Sequence, residues 1–153
     1  MLVYRLSKSK YRNDLEGTGA KLYGGRWNNI GTPCIYTSEN RSLAILEYAS
    51  NVELDQMPRA LHFTVYNIPE KEFVTIEIKN LPENWKDAPS PQSTKDFGSD
   101  FFKDSGVLGI RIPSAIVPEE YNFLINPAAD KFSAVKVVDS KDFIFDVRIK
   151  NKS

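Results

Sequence analysis

The stretch Pro33-Cys-Ile-Tyr-Thr-Ser-Glu-Asn-Arg-Ser-Leu-Ala-Ile-Leu-Glu-Tyr-Ala-Ser50 decides the fold class of this chain. Residues 33–37 read as a short strand. Ser38 is a suitable N-cap and Glu39 suits a first helical turn, so a helix is predicted over about 39–50. Working outward, residues 2–6 read as a strand, and residues 60–66 alternate Leu61, Phe63 and Val65 against His62, Thr64 and Tyr66. Residues 72–78 look similar. Further strands are predicted near 107–112, 121–125, 134–138 and 143–149, punctuated by Pro113, Pro118 and Pro127. In the last of them Phe143, Phe145, Val147 and Ile149 share one face. A second helix is predicted over 94–103 from Phe97 and Phe101, four residues apart, with Gly98 weakening it. Two long loops remain. Residues 7–32 carry Gly17, Gly19, Gly24, Gly25 and Gly31, and residues 79–92 carry Pro82, Pro89 and Pro91. The expected architecture is α+β, one domain over residues 1–153, with a mostly antiparallel sheet and few helices.

Composition narrows the function classes. A length of 153 residues suits one domain, and 41% apolar with 26% charged residues is ordinary globular usage, which rules out disorder. Twenty basic residues balance twenty acidic ones, so there is no overall attraction to nucleic acid. One cysteine, Cys34, excludes an internal disulfide framework and a cysteine-rich metal site; one histidine, His62, excludes a two-histidine zinc site. No metal is expected. A nucleophilic serine would need His62 as its base, and the strand position of His62 argues against a triad. No apolar stretch approaches the roughly 20 residues of a membrane span. The opening Met1-Leu-Val-Tyr-Arg-Leu6 alternates like a strand and lacks the features of a signal peptide. The expectation is a soluble cytoplasmic protein.

Several side chains could carry chemistry. On the predicted helix, Glu47 neighbours Leu43 and Ala44, four and three residues back. If Leu43 faces the core, the Glu47 carboxylate needs partners or a cleft, because a lone buried charge is costly. A boundary glutamate reaching solvent, or a structural ion pair, is the alternative. In Gly24-Gly25-Arg26-Trp27-Asn28, two glycines allow close backbone approach to a ligand and Arg26 offers a planar charged fork for phosphate; a tight turn with a surface arginine is the alternative. Arg5 shares a strand face with Val3 and points either to solvent or into a cleft. Tyr36 is either a core aromatic with its hydroxyl at a rim or a site residue. Ser114 reads as a turn serine, and Asn122 and Asn126 as turn or backbone-bonding residues. Cys34 reads as a small buried hydrophobe.

The run Gly17-Thr-Gly-Ala-Lys-Leu-Tyr-Gly-Gly-Arg-Trp-Asn28, then Gly31-Thr-Pro-Cys-Ile-Tyr-Thr-Ser38, then Leu43-Ala-Ile-Leu-Glu47, resembles the RES-domain family. So does Ile112-Pro-Ser-Ala-Ile-Val-Pro118 followed by Asn122-Phe-Leu-Ile-Asn-Pro127. The resemblance runs from about Tyr4 to Phe132. It implies an ADP-ribosyltransferase-like fold and the toxin of a bacterial toxin–antitoxin pair that consumes NAD+. Some such proteins hydrolyse or phosphorolyse NAD+, and others transfer ADP-ribose to a protein. The implied partner is an Xre-type antitoxin that blocks the active site. By motif, the catalytic residues fall on Glu47, Arg26 and Tyr36, and NAD+ binding on Arg5, Gly25, Arg26, Tyr36, Ser114 and Asn122. Glu47 would favour the positive charge developing on the ribose, Arg26 and Arg5 would hold the pyrophosphate, and Tyr36 would stack on the ligand. Ser114 would orient the ribose or the glutamate. The chain departs from the family at Ala128-Ala129-Asp130, where many relatives carry histidine, and at Phe101-Phe102, where tryptophan is common. A mono-ADP-ribosyltransferase and a catalytically silent nucleotide-binding module are the rival readings.

Overall fold

In chain order the elements are β1 (Leu2–Lys8), α1 (Thr18–Tyr23), β2 (Ile35–Ser38), α2 (Arg41–Asn51), β3 (Ala60–Asn67), β4 (Phe73–Thr75), α3 (Gln92–Phe102), β5 (Gly109–Pro113), β6 (Tyr121–Ile125) and β7 (Lys136–Ile144). They come from a computed structural model that describes residues 1–53, 56 and 58–150. The last three residues of the expected 1–153 domain lie outside that range. The strands form one sheet in the order β4-β5-β6-β2-β1-β3-β7. β4 and β5 are parallel; the other neighbouring pairs are antiparallel. The expected α+β architecture with a mostly antiparallel sheet is therefore the observed one.

The sheet is not evenly stitched. β1 and β3 pair along seven successive residues, Leu2↔Asn67 to Lys8↔Leu61, whereas β1 meets β2 in register at Tyr4↔Ser38 alone. Beyond that point the two strands part, and the sheet opens into two wings. Three apolar clusters hold them. Val3, Ile35, Tyr66, Phe123 and Ile125 bridge the split on one face. On the other face Ile110, Ile112 and Leu124 pack with Trp27, Trp85 and Phe102, which come from the two long loops and α3. There too, Leu6, Leu61 and Phe63 pack with Ala44 and Ala49 of α2. Each large side chain so buried contributes about 1.5–3 kcal/mol.

Four local expectations are corrected. The cap of α2 is Asn40, whose side chain accepts from the Leu43 N–H at 2.7 Å, while Ser38 closes β2. Asn and Ser cap equally well, so residue type alone cannot choose between positions two apart. The glycine-rich segment holds α1, bounded by Gly17 and Gly24 at φ 66° and 72°. The strand expected over 72–78 is shorter, since residues 78–80 turn into a 3-10 segment. The two strands expected over 134–138 and 143–149 are one, β7, which runs without a break through the polar stretch Asp139–Asp142. β7 is an edge strand open to water, where charged residues are tolerated. Beyond it Phe145 stays buried, but the Asp146 side chain accepts from the Arg148 N–H and starts a 3-10 turn that leaves Val147 and Ile149 exposed.

Candidate active site

Register lines up the strand residues of the site. Tyr4, Ser38, Asn122 and Ile112 are successive partners across β1, β2, β6 and β5, so their side chains share a face. α2 packs on that face through Leu43 and Ala44, both buried, and this carries Glu47 over Asn122. Glu47 Oε1 accepts from Ser114 Oγ at 2.6 Å and from Asn122 Nδ2 at 2.8 Å. Each donor is itself oriented. Asn122 Oδ1 accepts from Ser38 Oγ at 2.7 Å. Ser114 Oγ accepts from the backbone N–H groups of Ile116 and Val117, both at 3.1 Å, which turns its proton toward the carboxylate. Among the described residues Oε2 has no hydrogen-bond partner, so it is the atom left for a ligand.

The glycine-rich loop supplies the opposite wall. Tyr36 donates its phenol proton to Asn28 Oδ1 at 2.6 Å and accepts from the Trp27 N–H at 3.0 Å. Burial pushes the phenol well above its ordinary pKa, so it stays protonated. Asn28 is fully buried, and its Nδ2 donates to the carbonyls of Ala20, Asn29 and Thr32. A Cβ on Gly25 would lie 2.6 Å from Tyr36 Oη, so here glycine makes room for the phenol. Arg26 Nη1 donates to the carbonyls of Trp85 and Asp87 at 2.9 and 2.8 Å. That leaves Nε and Nη2 without a protein partner among the described residues. Arg5 Nη1 reaches the carbonyls of Tyr11 and Asp14 at 3.4 Å. The Asp14 carboxyl beside it is pushed up by burial, but the Glu16 and Thr18 N–H groups and the Arg5 charge outweigh this and hold its pKa low.

These groups surround one cleft of about 590 Å³, where β1 and β2 part. Arg5, Gly25, Arg26, Tyr36, Glu47 and Asn122 all line it. Ser114 is fully buried behind Glu47 and orients that carboxylate. Cys34 is buried, which raises its thiol pKa far above the ordinary value and leaves it a packing residue. Sequence reasoning passed over the work of Asn28 and Ser38, although both lie within the quoted motifs, and missed Lys95, which reaches Gly25 O from α3 at 2.8 Å. Only an interrupted helix pattern surrounds Lys95 in the sequence. The Tyr36→Phe variant should be destabilised by about 1–3 kcal/mol, since Asn28 Oδ1 and the Trp27 N–H lose their shared partner. Urea unfolding measures this, and an unchanged midpoint would contradict the assigned bonds.

The sequence profile of the RES domain matches residues 2–146. The chain belongs to the RES-domain family. A relative from Photorhabdus laumondii named "Toxin Res" is 41% identical over 97% of both chains. A Yersinia enterocolitica relative of the same name is 32% identical over 98% of this chain and all of that one. A Sphingobium relative named "Prs ADP-ribosylating toxin" is 32% identical over 92% of this chain and 89% of that one. Among solved structures, the Mycobacterium tuberculosis MbcT–MbcA toxin–antitoxin complex contains a chain with TM-score 0.68 and 16% identity, covering 94% of this chain and 84% of that one. The RES fold is thus shared with a solved toxin–antitoxin component.

Proposed function

We propose that this RES-domain protein is the toxin of a bacterial toxin–antitoxin pair and that it cleaves the nicotinamide–ribose bond of NAD+ in the cytoplasm. The observation that carries this reading is the clamped Glu47 carboxylate, with Oε1 fixed by two oriented donors and Oε2 free, in the same cleft as Arg26 and Arg5. Neither arginine makes an ion pair among the described residues; both are tied to neutral carbonyls. Spare guanidinium donors beside one carboxylate suit a ligand with a diphosphate at one end of its reach and a cationic reacting centre at the other.

The chemistry follows from the groups present. When the C1′–N bond breaks, its electron pair returns to the ring nitrogen and nicotinamide leaves neutral, so no general acid is required. Positive charge grows on the ribose, as in glycoside hydrolysis. Glu47, already oriented by Ser114 and Asn122, stabilises that charge directly or through the ribose hydroxyls without reorganising. Tyr36, with its hydroxyl fixed by Asn28, presents a ring edge or face to the ligand. Water adding to C1′ gives ADP-ribose and a released proton.

Transfer of ADP-ribose to a protein is a second reading, favoured by the name of the Sphingobium relative. An Xre-type antitoxin is the proposed partner, supported by the complex in which the structural neighbour was solved. Incubating purified protein with NAD+ and following free nicotinamide tests the proposal. Release without protein labelling is expected; labelling of one protein favours transfer, and no release refutes both. In the same assay Arg26→Lys should raise KM for NAD+ about tenfold or more. A single ammonium cannot hold both the Trp85 and Asp87 carbonyls and still present a fork to phosphate. An unchanged KM would remove Arg26 from ligand binding.

A further inference from the structure

Beside the cleft lies a second cavity of about 420 Å³, and the two share Gly24 and Lys95. Lys95 Nζ donates to Gly25 O at 2.8 Å and makes no ion pair among the described residues. An ammonium has three donors, so two remain. With the spare donors of Arg26, the two cations lining the cleft on this side are both pinned by carbonyls, uncompensated by acid and unfilled in their donor capacity.

The second cavity is bordered by Tyr23 and Ile30, which are 72% and 73% exposed. This shelf is built rather than loose. Gly31 N donates to Lys21 O at 2.8 Å, joining the loop after Ile30 to α1. Along the rim, Gln92 Nε2 donates to Asn29 Oδ1 and to Asp96 Oδ1, and Asn29 Nδ2 donates to the same Asp96 oxygen. Asp96, the acid of this rim, is thus engaged by two amides. An exposed aromatic and an aliphatic side chain on a fixed rim form a platform on which a flat base can stack.

Two compartments joined at a cationic wall match a ligand whose two bulky halves are joined by a dianionic linker. We propose that Lys95 holds the diphosphate of a dinucleotide and that the purine nucleoside half lies on the Tyr23–Ile30 shelf, the other half lying against Glu47. This rests on the NAD+ reading and extends it: Lys95 and Tyr23 become ligand-binding residues, and the shelf becomes the subsite that selects a dinucleotide over a mononucleotide.

ADP, which carries the purine half and the diphosphate without the reacting bond, is the probe. Calorimetric titration into the intact protein should show binding that weakens about tenfold in Lys95→Met and roughly fivefold or more in Tyr23→Ala. Lys95→Arg, which keeps spare donors, should restore most of the affinity. Tyr23 is on the surface, so its variant should fold as the parent does. The inference is overturned if the parent does not bind ADP, or if neither substitution weakens binding. ADP binding that depends on both residues, without nicotinamide release, keeps the subsite and removes the cleavage reading. Release with ADP affinity indifferent to both residues does the reverse.

Discussion

Glu47→Gln is expected to abolish growth inhibition and to lower nicotinamide release by about 100-fold or more, with the unfolding temperature little changed. The amide keeps an oxygen in the Oε1 position, so Ser114 Oγ and Asn122 Nδ2 retain their acceptor and the substituted side chain keeps its place. What disappears is the negative charge beside the ribose. Preorganised charge matters because a carboxylate already held in place stabilises the new cation without the free-energy cost of reorienting the site around it. The two donors on Oε1 fix the carboxylate but do not neutralise it. A glutamine variant that remained toxic, folded and fully active on NAD+ would show that the carboxylate is structural. The companion variant Ser114→Ala separates position from charge, since it keeps the charge and removes one of its two guides.

How far the site was legible in the sequence depended on whether its logic was local. Leu43, Ala44 and Glu47 lie within five residues, so the helical period alone placed a carboxylate beside buried aliphatics and raised the question of its partners. Those partners, Ser114 and Asn122, are 67 and 75 residues away. Spacing within one element does not find them: the family resemblance implies that Ser114 orients the ribose or the glutamate and that Asn122 binds NAD+, and the bond from Asn122 to Glu47 is visible only in the structure. Arg26 was marked as a fork for phosphate, yet its anchors at Trp85 and Asp87 lie on a loop whose prolines gave no direction. The sequence reads Gly25 as room for a ligand, and the structure, in which Gly25 lines the cleft, adds that its missing Cβ also makes room for the Tyr36 hydroxyl. Both explanations begin from a missing Cβ, and sequence gives no means of saying what occupies the space. Strand existence was legible from alternation, but the break between β1 and β2 that opens the cleft was not. It depends on which pairings are not made, and period-two patterning is silent on that.

Gly98 is the sharpest case, and it yields the other large expected effect. Inside a helix, glycine is worse than alanine by roughly 1 kcal/mol, so local propensity predicts that Gly98→Ala stabilises α3. The packing predicts the opposite. A Cβ at this position would lie 2.0 Å from the Trp27 carbonyl oxygen and 2.8 Å from its carbon, and these are backbone atoms that cannot swing aside. The next residue, Ser99, accepts from the Asn29 N–H at 2.9 Å, Phe97 meets the Trp27 ring edge-on at 6.0 Å, and Lys95 holds Gly25 O. Contacts from Lys95 to Ser99 of α3 thus grip the whole run from Gly25 to Asn29, and Gly98 is where the two backbones touch. Forcing them apart should cost about 3 kcal/mol net, the upper end for overpacking because the obstacle is main chain. That corresponds to a fall on the order of 10 °C in unfolding temperature for a chain of this length. Since Arg26 precedes Trp27, the same shift should also raise KM for NAD+. Thermal unfolding of the single variant decides between the two principles. A lower Tm means that close approach of α3 fixes the arginine loop, whereas an equal or higher Tm means that propensity prevails and the loop owes its position to other contacts.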